Sequence, residues 1–283
     1  MPENIIITDK DKLVFKKNKI KEGGIKKLHI LTDFDRTLTR SCINGKIFPS
    51  IISILRDEDY LDKNYGFKSQ ELYNKYRPAE INPNISYEEK KEIMQEWWIK
   101  HFELLINSGL TKEILNRVAE SGKLIFREGI DTFFNFLQKK NIPVVIMSSS
   151  GLGEEIIHLL LEKNGLLNNN IQIISNIFEW DNNGNLIGVK EPIIHSLNKR
   201  EVIIKDYPFF EIIKDRKNVI LIGDNAEDIE MIKGFDYDNL ITVGFLNENV
   251  DENLEKHKQH YDIVLLNDPD MNYVNDLLKE VLE

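Results

Sequence analysis

The sequence predicts an α/β protein with a doubly wound, parallel-sheet core of Rossmann-like type and an inserted, mostly helical cap. Three observations predict it. Six short runs are almost wholly apolar, helical stretches separate them, and more than 100 residues lie between the first run and the second. The runs are Leu28 to Thr32, Pro143 to Ser148, Ile171 to Ser175, Asn218 to Gly223, Leu240 to Phe245 and Ile263 to Leu266. Strands with no polar alternation are buried on both faces, which is the pattern of a parallel sheet covered by helices.

The lysine-rich residues before Leu28 read as a solvated arm. The gap after the first strand is far longer than one crossover helix requires, so residues 41–125 are expected to form the cap, and 1–40 with 126–283 the core. Within the insertion, Ser86-Tyr-Glu-Glu89 is a capping-box signature. Ile93, Trp97, Lys100 or His101, and Leu104 then recur at helical spacing as far as Gly109, which puts Trp97 on a buried stripe. A second helix runs from Thr111 towards Gly122 with Ile114, Leu115, Val118 and Ala119 apolar, and Gly129-Ile-Asp-Thr-Phe-Phe opens the helix leading into the second core strand. The Asp181-Asn-Asn-Gly184 cluster is a hairpin turn between Phe178 and Ile187.

Composition narrows the function. Among 283 residues, 37 Lys and Arg face 47 Asp and Glu, a net charge of −10, with 41% hydrophobic and 30% charged residues. These proportions are those of a globular protein, and the acid excess argues against nucleic-acid partners and against an anionic membrane surface. No apolar run approaches the ~18 residues of a spanning helix. Cys42, the single cysteine, has no internal partner, and no Cys/His cluster has zinc spacing. The opening MPENIIITDKDK lacks a signal-peptide core. A cytoplasmic location is expected, and a monomer, since no coiled coil or large apolar tract is visible.

Ligands of doubly wound sheets bind beyond the carboxyl ends of the strands. There the chain carries Asp33-Phe-Asp35-Arg-Thr37, Ser148-Ser149-Ser150-Gly151 and Gly223-Asp224-Asn-Ala-Glu-Asp228. Four carboxylates on one edge repel one another unless a cation joins them, and hard oxygen donors of this kind suit Mg2+ bridging to a phosphate. An EF-hand is excluded because Thr37 and Leu38 stand where Asp or Asn and Gly are needed. Neither a complete dinucleotide fingerprint, nor a Gly-x-Ser-x-Gly elbow, nor a Walker loop is present.

A strand then DxDxT, a strand then Ser, a Lys, and a strand then GDxxxD together resemble the haloacid dehalogenase superfamily. KEGGIKKLHILTDFDRTLTR, YRPAEINP, EEKKEIMQEWW, GVKEPIIHSLNK, NVILIGDNAED and VGFLNENVDENLEKHKQHYDIVL extend the likeness to its cytosolic pyrimidine 5′-nucleotidase (5′-nucleotidase III) family, from about residue 20 onward. The resemblance implies a Mg2+-dependent phosphatase of nucleoside 5′-monophosphates, UMP and CMP first and 7-methylguanosine monophosphate next. It implies that Asp33 is the nucleophile and Asp35 the acid and base. Asp33, Asp224 and the Asp35 carbonyl would hold the metal, with Asp228 in support. Thr37, Ser148, Ser149 and Lys199 would serve the phosphate, Glu80 and His101 the nucleoside. Lys190 and Lys205 compete with Lys199, which the family pattern favours. Ser148, Ser149 and Ser150 compete for the phosphate, because the family has Ser-Ala-Gly here. His101 stands where the family commonly has serine, and His195 is placed one helical turn before Lys199 as a packing or orienting group. Trp97 and Trp98 are expected in the cap interior. A phosphatase of a small metabolite such as phosphoserine, and a catalytically silent nucleotide-binding scaffold, are the alternatives.

Overall fold

The computed structural model describes residues 4–43, 46–57, 59–82, 84–199, 207–233 and 236–283. The chain opens with β1 (Ile5–Ile7) and α1 (Lys10–Gly23), then enters the sheet centre at β2 (Leu28–Thr32). A small hairpin of β3 (Cys42–Ile43) and β4 (Lys46–Ile47) leads to α2 (Ile51–Asp57), α3 (Tyr65–Ile81), α4 (Tyr87–Asn107) and α5 (Lys112–Glu120). Helix α6 (Ile130–Lys139) returns the chain to β5 (Val144–Met147), which is followed by α7 (Gly153–Lys163), β6 (Ile171–Ile174) and the hairpin of β7 (Phe178–Trp180) and β8 (Leu186–Val189). After α8 (Phe210–Ile213) come β9 (Asn218–Gly223), β10 (Asn239–Leu246), α9 (Val250–His260), β11 (Ile263–Leu266) and α10 (Asn272–Leu282).

Among the described residues, seven strands pair in the order β1-β11-β10-β9-β2-β5-β6, all parallel except β1. Every residue of β9 is buried: Ile220 and Ile222 pack into one apolar layer, Val219 and Leu221 into the other. Burial on both faces is why these runs show no polar alternation. Each such side chain contributes roughly 1.5–3 kcal/mol of burial free energy. The chain leaves β2 towards β5 on one side and later returns to β9 on the other, so the order reverses at the end of β2.

The amino-terminal arm expected from its lysines is instead ordered structure. Ile5, Ile6 and Ile7 pair antiparallel with Leu265, Val264 and Ile263. Asp9 caps α1 by accepting from the Lys12 N–H at 3.0 Å, and Leu13 and Ile20, two turns apart, are buried while the lysines stay outward. The Ser86 hydroxyl accepts from the Glu89 N–H at 3.3 Å, so α4 starts where the sequence places it.

The outgoing and returning segments of the insertion lie side by side. The Arg40 N–H donates to the Ile125 carbonyl at 2.7 Å, and the Arg127 N–H to the Leu38 carbonyl at 3.0 Å. Arg127, 1% exposed, fastens this junction. Its Nε donates to the Thr37 carbonyl at 2.7 Å, its Nη2 to the Arg36 carbonyl and to Asn247 at 2.8 Å, and its Nη1 pairs with Asp268 at 2.8 Å. The guanidinium carbon lies 4.0 Å from the Phe245 ring centroid. Asp268 in turn accepts from the backbone N–H groups of Ser41 and Cys42. Replacing one member of such a pair leaves a buried, unmatched charge. Arg127→Met is therefore expected to lower the unfolding free energy in urea by ~3–5 kcal/mol, and a loss below ~1 kcal/mol would contradict this assignment.

Candidate active site

Adjacent strands in register bring the three sequence clusters to one edge of the sheet. Thr32 pairs with Ile222 of β9 and with Ile146 of β5, so Asp33, Gly223 and Ser148 follow nearly level with one another. The Asp33 N–H donates to the Ile222 carbonyl at 3.0 Å, and the Ser148 N–H to the Ile174 carbonyl at 3.0 Å. Gly223 is required by a close approach: a Cβ there would stand 2.6 Å from Asp228 and 2.7 Å from the Tyr261 hydroxyl.

The Asp33 carboxylate is buried and held from both sides. Thr37 donates its hydroxyl to Oδ2 at 2.9 Å, and Lys199 donates its ammonium to Oδ1. Lys199 Nζ also donates to Asp228 Oδ1 at 3.0 Å. The second Asp228 oxygen accepts from the N–H groups of Asp224 at 3.1 Å and Asn225 at 3.0 Å. Asp35 Oδ1 accepts from the Ile51 N–H at the start of α2, at 3.2 Å. Thr37 is thus occupied in holding Asp33, and Asp228 in holding Lys199 and the turn after β9.

Burial pushes the carboxyls of Asp33, Asp35 and Asp224 above their usual range, and for Asp33 the Lys199 ammonium only partly opposes it. Burial alone would lower the Lys199 ammonium, but Asp228 and Asp33 outweigh it and hold the group charged. Carboxylate oxygens of Asp33, Asp224 and Asp228 lie within 4.8 Å of one another. Both Asp228 oxygens already have donors, whereas none among the described residues reaches the Asp224 carboxylate. Asp224 beside Asp33 is therefore an under-compensated oxygen-donor site that fits a hard divalent cation.

Two clefts meet at this edge. The smaller, about 150 Å³, contains Asp33, Ser148, Ser149, Lys199 and Asp224. The larger, about 290 Å³, is lined by side chains of α2, α3 and α4, including Glu80, Trp97, Trp98 and His101. Asp35, Arg36 and Ser149 border both. Ser148 and Ser149 both face the smaller cleft, while the Ser150 hydroxyl accepts from the Leu152 N–H and is turned to the loop. Trp97 and Trp98 are partly buried against apolar clusters, as expected, and also line the larger cleft, with Tyr76 stacked on Trp97 at 5.8 Å. Glu80 pairs with Arg77 and accepts from the Ser196 hydroxyl at 3.0 Å.

Of the competing lysines, Lys190 is exposed, Lys205 lies outside the described residues, and Lys199 reaches the carboxylates. His195 is not on a helix with it. Side chains replace the helical ladder here: Asn176 holds both the N–H and the carbonyl of Ile194, at 2.8 and 2.9 Å, and Asn198 holds the His195 N–H at 2.7 Å and the Ile193 carbonyl at 2.8 Å. The cap-side helices grip this loop. Leu197 is buried with Tyr76 and Met94, and Tyr87 donates to its carbonyl at 2.5 Å. Sequence reasoning missed Asn176, Arg77 and Arg127; a lone arginine in Leu-Ile-Phe-Arg127 was the one available signal.

His101 is buried and its Nε2 lies 2.9 Å from the Gly151 carbonyl, which joins α4 to the loop after β5. Burial pulls its pKa down from 6.5 to about 4. A group lowered on folding is protonated more readily when unfolded, so its contribution is whole above pH 6.5 and lost as pH falls towards 4. The stability advantage of wild type over His101→Gln is expected to shrink by ~3 kcal/mol across that window in urea titrations. A difference independent of pH would contradict the buried, neutral assignment.

A sequence profile of the pyrimidine 5′-nucleotidase (UMPH-1) family matches residues 36–282. The 7-methylguanosine phosphate-specific 5′-nucleotidase A of Xenopus laevis is 35% identical over 280 residues, spanning 99% of this chain and 96% of that protein. The human 7-methylguanosine phosphate-specific 5′-nucleotidase is 34% identical over 264 residues, spanning 93% and 87%. The crystal structure of cytosolic 5′-nucleotidase IIIB bound to cytidine superposes with a TM-score of 0.87 at 27% identity, covering 99% of this chain and 94% of that one. A phosphoserine phosphatase, at 18% identity and a TM-score of 0.54 over 88% and 97%, shares the fold. With the fold, the carboxylate edge and these likenesses together, the chain belongs to the pyrimidine 5′-nucleotidase (UMPH-1) family, phosphoric monoester hydrolases with the haloacid dehalogenase fold.

Proposed function

We propose that this chain is a Mg2+-dependent 5′-nucleotidase that hydrolyses nucleoside 5′-monophosphates, UMP and CMP ahead of 7-methylguanosine monophosphate, through an aspartyl-phosphate on Asp33. The observation that carries this is the pairing of clefts. A small, charged cleft with Asp33, Lys199 and Asp224 opens past Asp35 into a larger aromatic one. The first suits a phosphate and the second a nucleoside. A phosphoserine-sized substrate leaves the aromatic cleft without an occupant, and a silent scaffold would be expected to have lost at least one of Asp33, Asp35, Lys199 and Asp224, all of which are present.

In the first step Asp33 attacks phosphorus in line, a P–O bond forms to its carboxylate, and the bond to the 5′-oxygen breaks. Asp35 gives its proton to the departing oxygen, a task suited to a carboxyl whose pKa burial has raised. In the second step Asp35 takes a proton from water, the water oxygen bonds to phosphorus, and the Asp33 carboxylate leaves. Thr37 and Lys199 keep Asp33 oriented, and Lys199 with the Ser148 or Ser149 hydroxyl binds phosphate oxygens. Asp33, Asp224 and the Asp35 carbonyl would hold Mg2+, which would supply the positive charge that lets a carboxylate approach a phosphate dianion. Residues 41–125 serve as the cap over the nucleoside, and contacts from Ile51 to Asp35 and from His101 to Gly151 support that reading.

Phosphate release from UMP, CMP, AMP, GMP, 7-methylguanosine monophosphate and phosphoserine, with Mg2+ or with EDTA, tests the reading. EDTA should abolish turnover, and Asp33→Asn should lower kcat by about 10⁴-fold or more. Asp35→Asn should cost ~10²–10⁴-fold in kcat, the range of a lost general acid. Release that persists in EDTA or in Asp33→Asn would refute the mechanism, and phosphoserine turned over faster than any nucleotide would refute the substrate class.

A further inference from the structure

Resting on the reading of Asp224 as a metal carboxylate of the nucleotidase site, we infer that His257 and Tyr261 are positioning residues that hold the Asp224-Asn225 turn from behind and thereby set the affinity of the site for its divalent cation. The turn carries the one carboxylate of the cluster that no donor among the described residues reaches, so its place has to be fixed through the main chain. Both N–H groups of the turn donate to Asp228 Oδ2, at 3.1 Å from Asp224 and 3.0 Å from Asn225. Both carbonyls meet side chains from α9 and its carboxyl end. The Asp224 carbonyl lies 3.1 Å from His257 Nε2, and the Asn225 carbonyl accepts from the Tyr261 hydroxyl as well as from the Asp228 N–H. Side chains thus engage all four main-chain polar groups of the two residues.

The two side chains act as a unit. Both are buried, and the His257 ring stacks on the Tyr261 ring at 5.7 Å and 26°. A carbonyl can only accept, so the contact to Asp224 is a donation from Nε2. The Asn253 carbonyl, 3.1 Å from Nδ1, lies one turn back in α9, where the helical ladder already supplies it with an N–H. The Asp224 carbonyl has no other donor among the described residues. The sheet is shaped to admit Tyr261: Gly223 and Gly244 pair across β9 and β10, and a Cβ at Gly244 would stand 2.4 Å from the Tyr261 ring, one at Gly223 2.7 Å from its hydroxyl. A carboxylate whose main chain is free to shift holds a hard cation less well, and the loss of such an outer partner typically costs about 10–100-fold in metal affinity.

The experiment measures Mn2+ binding without substrate, by the loss of the free-ion EPR signal, in wild type, Tyr261→Phe, His257→Leu, His257→Gln and Asp224→Asn. Tyr261→Phe removes only the hydroxyl and keeps the ring against Gly244, so it tests the hydrogen bond in an intact fold. Tyr261→Phe and His257→Leu should each raise the Kd by at least about tenfold. His257→Gln, whose amide can donate where Nε2 does, should stay within about threefold of wild type, a rescue that a role in packing alone would not give. Asp224→Asn should raise the Kd further than either, which ties the signal to this site. The Mg2+ concentration for half-maximal UMP hydrolysis should rise in Tyr261→Phe and His257→Leu by the same factors. A change below about threefold in either of those variants, a His257→Gln as weak as His257→Leu, or binding indifferent to Asp224→Asn overturns the inference. A wild type that binds Mn2+ through Asp224 yet releases no phosphate from UMP or CMP refutes the nucleotidase reading alone.

Discussion

The buried ammonium of Lys199 is the constraint on which the site depends. Parallel strands in register deliver Asp33, Asp224 and Asp228 to one edge, where their oxygens come within 4.8 Å of one another in a largely dry environment. Ionised carboxylates so close are mutually repulsive, and removing them from water adds a penalty that only well-placed partners offset. Lys199 reaches two of the three. The backbone N–H groups of Asp224 and Asn225 satisfy the rest of Asp228, and Thr37 the rest of Asp33. What remains is one under-compensated carboxylate, Asp224, at the place where a divalent cation and a phosphate would share charge. A fold that balanced these charges fully would have no such vacancy of charge to use.

The ammonium is held in place by the helices beyond the sheet. The loop carrying it is not helical, and its shape comes from Asn176 and Asn198 on the core side and from Leu197, packed against Tyr76 and Met94, on the other. Glu80 bonds to Ser196 of the same loop. The walls of the larger cleft and the position of the Lys199 ammonium therefore share side chains. Arg127 performs the matching task at the other end of the insertion, tying the carbonyls of Arg36 and Thr37 to Asp268.

Much of this was readable in the sequence where one physical rule dominates. The strands of the sheet centre declared themselves because burial on both faces removes polar alternation, and β2 and β9 lie at Leu28–Thr32 and Asn218–Gly223 as expected. The carboxylates were readable because ligands gather at strand carboxyl ends. Helix α3 was not, since few of its residues are buried and Pro78 lies inside it. The opening strand was missed because three isoleucines beside many lysines read as a tail; its pairing with β11 is a long-range fact that local sequence does not carry. The His195 to Lys199 segment defeated spacing arguments because asparagine side chains, not an i to i+4 ladder, hold it. Among the described residues no helix is long and apolar enough to cross a membrane.

The net charge of −10 is compatible with a small anionic substrate, since part of the acid excess is concentrated where a cation would sit. The central claim is that phosphorus passes through a bond to Asp33, and the stereochemical course at phosphorus tests it most directly. A nucleoside 5′-monophosphorothioate bearing one 18O label, hydrolysed in 17O water, yields chiral thiophosphate. Two successive in-line displacements, first by Asp33 and then by water, predict net retention of configuration; net inversion would show a single direct attack by water and contradict the account.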